Sequence, residues 1–359
     1  EYVYKYSGGL GTYCADHIPM AVYAPEVNKT FFVYGGTPED KNTLHEMISY
    51  YDHATRTVPR PTLLMDKKTD DAHDNPVLCI DPDGYLWVFI SAHGTSRPSY
   101  LLKSRKPYDT EDFELIWETN FSYPQPWYIE GKGFLFLHTY YAGGRGLNWS
   151  TSPDGRTWSE RRPLAHIEEG HYQVSWQQGE RVGTAFNYHP TAFAGYEKWK
   201  GLNWRTNVYY MQTDDFGDSW QAADGTLLAT PLSQSNNPAL VHNHEAEGLL
   251  AYIQDIKFDA EGRPAILYIT SMGWESGPEN GPRTWRIAYW TGENWQTSEV
   301  TTSDNNYDTG GLYITEGVWR ILGPTETGPQ AYNPGGEMAL WISRDNGQNW
   351  EKERDLTCN

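Results

Sequence analysis

The stretch Thr213-Asp214-Asp215-Phe216-Gly217-Asp218-Ser219-Trp220 reads as S/T-x-D-x-G-x-x-W, and Ser343-Arg344-Asp345-Asn346-Gly347-Gln348-Asn349-Trp350 repeats it. A shorter copy runs Ser152-Pro153-Asp154-Gly155-Arg156-Thr157-Trp158, and a degenerate one ends Gly292-Glu293-Asn294-Trp295. The pattern describes a tight turn between two strands. Its carboxylate accepts backbone N–H bonds, its glycine takes the left-handed conformation, and its indole packs beneath. One copy would be weak evidence. Two full copies and two partial ones identify a repeated hairpin unit.

Outward from these turns the chain is rich in short β-type runs: Phe31 to Tyr34, Leu86 to Ile90, Phe134 to His138, Val208 to Met211, Ala265 to Ile269 and Ala339 to Ile342. Each is bounded by Gly, Pro, Asp or Asn, and helical periodicity is scarce. A second repeated element, D-x-[DE]-G, stands before two of the runs, at Asp81-Pro82-Asp83-Gly84 and Asp259-Ala260-Glu261-Gly262. The S/T-x-D-x-G-x-x-W turns are Asp boxes of the kind found in sialidase-like propellers. They predict an all-β protein, a β-propeller. At roughly 50 residues per blade, the 359 residues fit seven blades, with six as the alternative count. No linker or shift of composition divides the chain, so residues 1–359 are expected to form a single catalytic domain.

Composition narrows the function. Aromatic residues make up 15% of the chain, with 16 Trp and 26 Tyr, which supports a large packed core. No apolar run is long enough to span a membrane. The formal net charge of -19 disfavours nucleic acid as a partner, and any anionic ligand must find a local group of Arg or His. Cys14, Cys79 and Cys358 can form at most one bridge, which excludes a disulfide scaffold. The chain begins at Glu1 without an apolar leader, which reads as a processed protein that is secreted or periplasmic. Nucleophile-elbow, Walker, H-E-x-x-H and Rossmann patterns are all missing from the sequence.

Five groups of residues are candidates for chemistry. Asp71-Ala72-His73-Asp74-Asn75-Pro76 precedes one apolar run, and Ser91-Ala92-His93-Gly94 follows the next. An antiparallel hairpin returns the chain to the same edge, so His73 and His93 can share a face; two unrelated loop histidines are the alternative. By the same argument Tyr188, in Phe186-Asn187-Tyr188-His189-Pro190, comes near Arg205, in Trp204-Arg205-Thr206-Asn207. A surface salt bridge for Arg205 and a core ring for Tyr188 are the plainer readings. The glycine-rich turn after Tyr140-Tyr141 is expected to expose Arg145 beside aromatic rings, as sugar sites do, or to be only a turn. His242 and His244 stand at i and i+2 and are weak candidates for a metal with a third ligand such as Cys or His. An isolated Asp16-His17 pair lies near the start of the chain.

The stretches at 71–76, 91–94, 187–190 and 204–210, with the box that follows, resemble the BNR-repeat propeller polysaccharide lyases, above all the ulvan lyases. The resemblance runs from near Val33 to Trp350. It implies β-elimination at C4–C5 of a uronate in a sulfated, rhamnose-containing polysaccharide. His73 and Tyr188 would be the acid and base, without assignment of which is which, and His93 and Arg205 would hold and neutralise the carboxylate. Asn75, Tyr141, Arg145 and His189 would bind substrate. The chain is also expected to act as a monomer, with no cofactor required for catalysis and zinc or calcium in a structural role at most. The chemistry suits the residues: removing a proton α to a carboxylate needs a base, an acid for the leaving oxygen and a positive group for the developing charge. Two readings compete with the lyase. One is a glycosidase removing rhamnose from glucuronate caps through His17, as in a sister group; the other is a non-catalytic sugar-binding propeller.

Overall fold

The computed structural model describes residues 16–38, 43–191, 204–275, 278–305, 308–327 and 336–358. Strands dominate, and helix among the described residues is confined to short 3₁₀ turns such as Ala72–Asp74 and Glu245–Glu247. Among the described residues the strands form six four-stranded antiparallel sheets. The first holds β1 (Ala21–Ala24), β2 (Lys29–Gly36), β3 (His45–Asp52) and β4 (Thr62–Asp66). The second holds β5 (Pro76–Ile80), β6 (Leu86–Ile90), β7 (Ser99–Ser104) and β8 (Phe113–Thr119). The third holds β9 (Ser122–Ile129), β10 (Gly133–Tyr141), β11 (Arg145–Ser152) and β12 (Arg162–Ala165). The fourth is β13 (Gln173–Gln178), β14 (Arg181–Tyr188), β15 (Thr206–Thr213) and β16 (Leu240–His242). The fifth is β17 (Leu250–Phe258), β18 (Pro264–Ser271), β19 (Arg283–Trp290) and β20 (Trp295–Ser303), and the sixth β21 (Gly311–Thr315), β22 (Val318–Glu326), β23 (Glu337–Ser343) and β24 (Glu351–Asp355).

Within each sheet the strands follow one another in chain order, so every unit is a meander. All six apolar runs of the sequence lie in the second or third strand of a sheet, where both faces are covered. The repeated turns occupy equivalent places. D-x-[DE]-G joins first to second strand at Asp81–Gly84 and Asp259–Gly262, and all four box copies follow a third strand. In each full box the hydroxyl at the first position accepts the glycine N–H, at 2.9 Å for Gly217 and 3.0 Å for Gly347. The aspartate then accepts the N–H four residues on, at 2.9 Å in both copies.

The chain divides into two compact units, residues 1–142 with 147–163, and residues 143–146 with 164–359. In the first unit Phe31, Ile48, Leu78, Val88 and Ile90 make one apolar cluster, and Trp87, Phe89, Phe121, Phe134 and Phe136 another. In the second unit Leu267, Trp285, Ile287, Trp319 and Ile321 belong to one apolar cluster. Each such side chain contributes about 1.5–3 kcal/mol on burial, so facing sheets are held by their aromatic layers. Cys79 and Cys358 are free thiols; burial pushes the Cys79 thiol up to about 12, and Cys14 lies outside the described residues.

Gly155 shows why the box needs glycine. Its φ is +71°, and a Cβ there would stand 2.4 Å from the Trp87 ring. Gly179 has a similar φ of +62° with open space around it. Gly155→Ala should therefore cost more than Gly179→Ala, about 2–3 kcal/mol against about 1. Urea unfolding midpoints of the two variants, compared with the parent, measure the difference.

Candidate active site

The first unit brings His73 and His93 together. Asp71 caps the 3₁₀ turn Ala72–Asp74 by accepting the His73 N–H at 3.1 Å, and the same oxygen lies 2.5 Å from His73 Nδ1. Its second oxygen is 3.0 Å from His93 Nδ1 and accepts from Arg97 Nη2 at 2.9 Å. The two imidazoles are stacked with centroids 3.9 Å apart. Asp74, fully buried, accepts the His93 N–H at 3.0 Å, takes Arg97 through both Nε and Nη2, and pairs with Lys67 Nζ at 3.2 Å. Burial lowers the His73 pKa despite the Asp71 hydrogen bond, which keeps the imidazole neutral. Burial opposes ionisation of Asp71 as well, but the hydrogen bonds from His73 and His93 hold its carboxyl below the usual range.

Other predicted residues fall around this group. Tyr141 meets the His93 ring edge-on at 5.7 Å. Asn75 is buried, and neither atom of its amide has a protein partner among the described residues. His17 is 1% exposed, with Nε2 3.0 Å from the His73 carbonyl oxygen and a pKa lowered by burial to about 3. It supports the backbone of His73 from beneath, a poor position for the acid of a glycosidase.

The second unit holds Tyr188 and Arg205. Tyr188 ends β14 and is paired in register with Thr206, so Arg205 stands beside it where the hairpin argument put it. Tyr188 is nevertheless 1% exposed, a core ring whose hydroxyl donates to Glu245 Oε2 at 2.7 Å. Burial, then Glu245, raises its pKa far above the ordinary phenol value, so it is held protonated. The Arg205 guanidinium covers the Tyr172 ring at 4.0 Å. Two further contacts position this pair: Asn187 N–H donates to the Tyr172 carbonyl, and Glu245 N–H to Asn207 Oδ1 at 2.9 Å.

Two expectations need correction. The turn after Tyr141 does not expose Arg145: the residue opens β11, is 3% exposed, contacts His189 Nδ1 through Nη2 and lies 5.3 Å from the Tyr172 ring centre. His189 is also buried, which together with Arg145 and Arg205 lowers its pKa strongly. The third donor beside His242 and His244 is Glu247 rather than Cys or His, with carboxylate oxygens 2.8 and 2.9 Å from the two rings. Asp71, His73 and His93 are close enough to form a second donor set, but Arg97 already occupies the Asp71 carboxylate there.

Comparison with known proteins follows from this geometry. Residues 45–303 match the family described as BNR repeat-containing family member. The chain belongs to that family. It is similar to an ulvan lyase of Nonlabens ulvanivorans, 23% identical over 94% of this chain and 76% of the relative. An ulvan lyase of Alteromonas sp. (strain LOR) is 24% identical over 86% of this chain and 68% of the relative. A solved PL25 ulvan lyase bound to -[GlcA(1-4)Rha3S]- has the same fold, with a TM-score of 0.77 and 18% identity over 98% of this chain and 86% of that one.

Sequence reasoning passed over Asp71 and Asp74 as ligands of the imidazoles, and missed Arg97, Lys67, Tyr172 and Glu245. Asp71 and Asp74 stood inside a quoted motif; Arg97, in Gly94-Thr95-Ser96-Arg97-Pro98, carries no pattern at all.

His171 supplies a pH signature for the second unit. Its Nδ1 faces the Asn187 carbonyl at 2.7 Å, its Nε2 accepts the Ile167 N–H at 2.9 Å, and burial lowers its pKa to about 3. Unfolded, the ring protonates near its ordinary value of about 6.5. Between these values the unfolded state binds the extra proton, so stability rises with pH and is lost on acidification from about 6.5 towards 3. His171→Gln should flatten that acid limb, measured as unfolding midpoint against pH.

Proposed function

We propose that this chain is a polysaccharide lyase that cleaves an ulvan-like polymer by β-elimination at a uronate. The carrying observation is the stacked His73–His93 pair on one carboxylate, in a chain similar to ulvan lyases. His73, kept neutral by burial, suits the base that removes the C5 proton. The electron pair forms the C4–C5 double bond as the C4–O bond breaks. Tyr188, held protonated, suits the acid that protonates the leaving oxygen. Arg205 and His93, the latter as the imidazolium that Asp71 holds through Nδ1, neutralise the uronate carboxylate; Tyr141 serves a sugar subsite, and Arg145, His189 and Asn75, which are buried, act behind the substrate-facing groups. The glycosidase reading loses support because His17 is buried under His73.

The six described sheets, with their turns in equivalent places, support one β-propeller catalytic domain over residues 1–359. Length alone favours seven blades, whereas the described residues make six sheets. A polymeric substrate suits a secreted or periplasmic monomer, and no helix among the described residues is long and apolar enough to cross a membrane. Catalysis in this scheme runs through side chains. His242, His244 and Glu247 fit a structural zinc better than calcium, which prefers oxygen donors.

Two experiments test this. On ulvan, the parent should release an unsaturated uronate absorbing in the ultraviolet. His73→Ala and Tyr188→Phe should lower kcat by about 10²–10⁴-fold, and Arg205→Ala should hurt far more than Lys106→Ala on the exposed surface. Reducing sugar without ultraviolet absorbance, or an inactive His17→Ala beside a fully active His73→Ala, would overturn the lyase reading. For the metal, elemental analysis after purification with zinc should find the ion retained by the parent and lost from His244→Ala.

A further inference from the structure

One carboxylate serves both imidazoles of the first unit. Asp71 receives four donors: the His73 N–H at 3.1 Å, His73 Nδ1 at 2.5 Å, His93 Nδ1 at 3.0 Å and Arg97 Nη2 at 2.9 Å. An ionised carboxylate offers about four acceptor sites and no donor, so each Nδ1 facing it must carry the hydrogen. We propose that Asp71 is a positioning residue that locks His73 and His93 together in the tautomer protonated on Nδ1, leaving Nε2 of each ring as the reactive nitrogen. The locking rests on these contacts; only the task given to the two Nε2 atoms rests on the lyase reading.

The surroundings are built to keep Asp71 in this state. Arg97 is held mainly by Asp74, which takes it through two nitrogens at 2.7 and 3.0 Å and is itself neutralised by Lys67. Arg97 therefore gives Asp71 a single bond on Oδ2, and Oδ1 is left wholly to His73. The 3₁₀ turn fixes Asp71 against the His73 backbone, and the His93 N–H is tied to Asp74. Neither ring can turn over without breaking a bond to the carboxylate. A neutral imidazole with hydrogen on Nδ1 has its lone pair on Nε2, as a base requires. If that nitrogen gains a proton, the resulting imidazolium is stabilised by Asp71 through Nδ1.

The test is nitrogen NMR of histidine-labelled protein at about pH 8, where a free imidazole is neutral, with His73→Gln and His93→Gln assigning the signals. Both rings should show Nδ1 protonated and Nε2 bare. The two rings face different oxygens of Asp71, and in Asp71→Asn one of these becomes a donating NH₂, so in this geometry the amide cannot accept from both rings. One ring should switch to the Nε2–H tautomer, and kcat should fall about 10²-fold with at most a few-fold change in KM. An Nε2–H tautomer on either ring of the parent overturns the proposal. So does an Asp71→Asn protein with both original tautomers and the parent's kcat. If Asp71→Asn does not fold, the parent spectrum alone decides. A parent with both rings locked that releases no unsaturated uronate supports the locking and overturns the lyase reading instead.

Discussion

A carboxylate taken out of water must have its lone pairs filled, and in the first unit that requirement falls on Asp74. Fully buried, it collects Lys67, Arg97 and the His93 N–H. Breaking one partner of such a buried group typically costs about 3–5 kcal/mol, so these contacts are held together. Lys67 spends its remaining hydrogens on the carbonyls of Ser91 and Pro98, which pins both ends of the loop that carries His93 and Arg97. Arg97, fixed by Asp74, reaches Asp71, and Asp71 orients the imidazoles. The geometry of the stacked imidazoles is thus the last link of a chain of charge satisfaction that begins in the core.

The second unit follows the opposite logic. One of its buried guanidinium groups, that of Arg145, meets a neutral imidazole and the face of Tyr172, and no carboxylate bonds it among the described residues. Arg205 covers the same tyrosine ring. In a chain of net charge -19, a guanidinium set against an aromatic face and a neutral imidazole, as Arg145 is, makes a local centre of positive potential.

The hairpin architecture was legible because each box is local. Asp215 and Asp345 bond within their own turns, so spacing along the chain carries the geometry. The His73–His93 and Tyr188–Arg205 pairings were legible for a related reason, since antiparallel register converts chain order into proximity. Burial was not legible. Arg145 follows a glycine-rich turn that suggests exposure, yet the strand it opens carries it inside. Arg97 and Glu245 were hidden because their partners lie far along the chain, 23 and 57 residues away.

Asp71 itself shows how a site can grow from the fold's commonest device. Asp81, Asp154 and Asp259 each accept the backbone N–H two residues on, at 3.1, 2.8 and 3.0 Å, and Asp71 does the same with His73. In the structural turns the other oxygen takes a neighbour that closes the hairpin, such as the Trp87 indole for Asp81 or the Arg263 guanidinium for Asp259. At Asp71 the residue two places on is a histidine, whose ring folds back onto the capping oxygen, and the second oxygen meets the histidine of the next strand end. The backbone conformation is the same in kind; only the side chains that fill the remaining lone pairs differ. A turn that elsewhere contributes stability alone therefore also orients, with two imidazoles as its partners, a stacked pair of histidines.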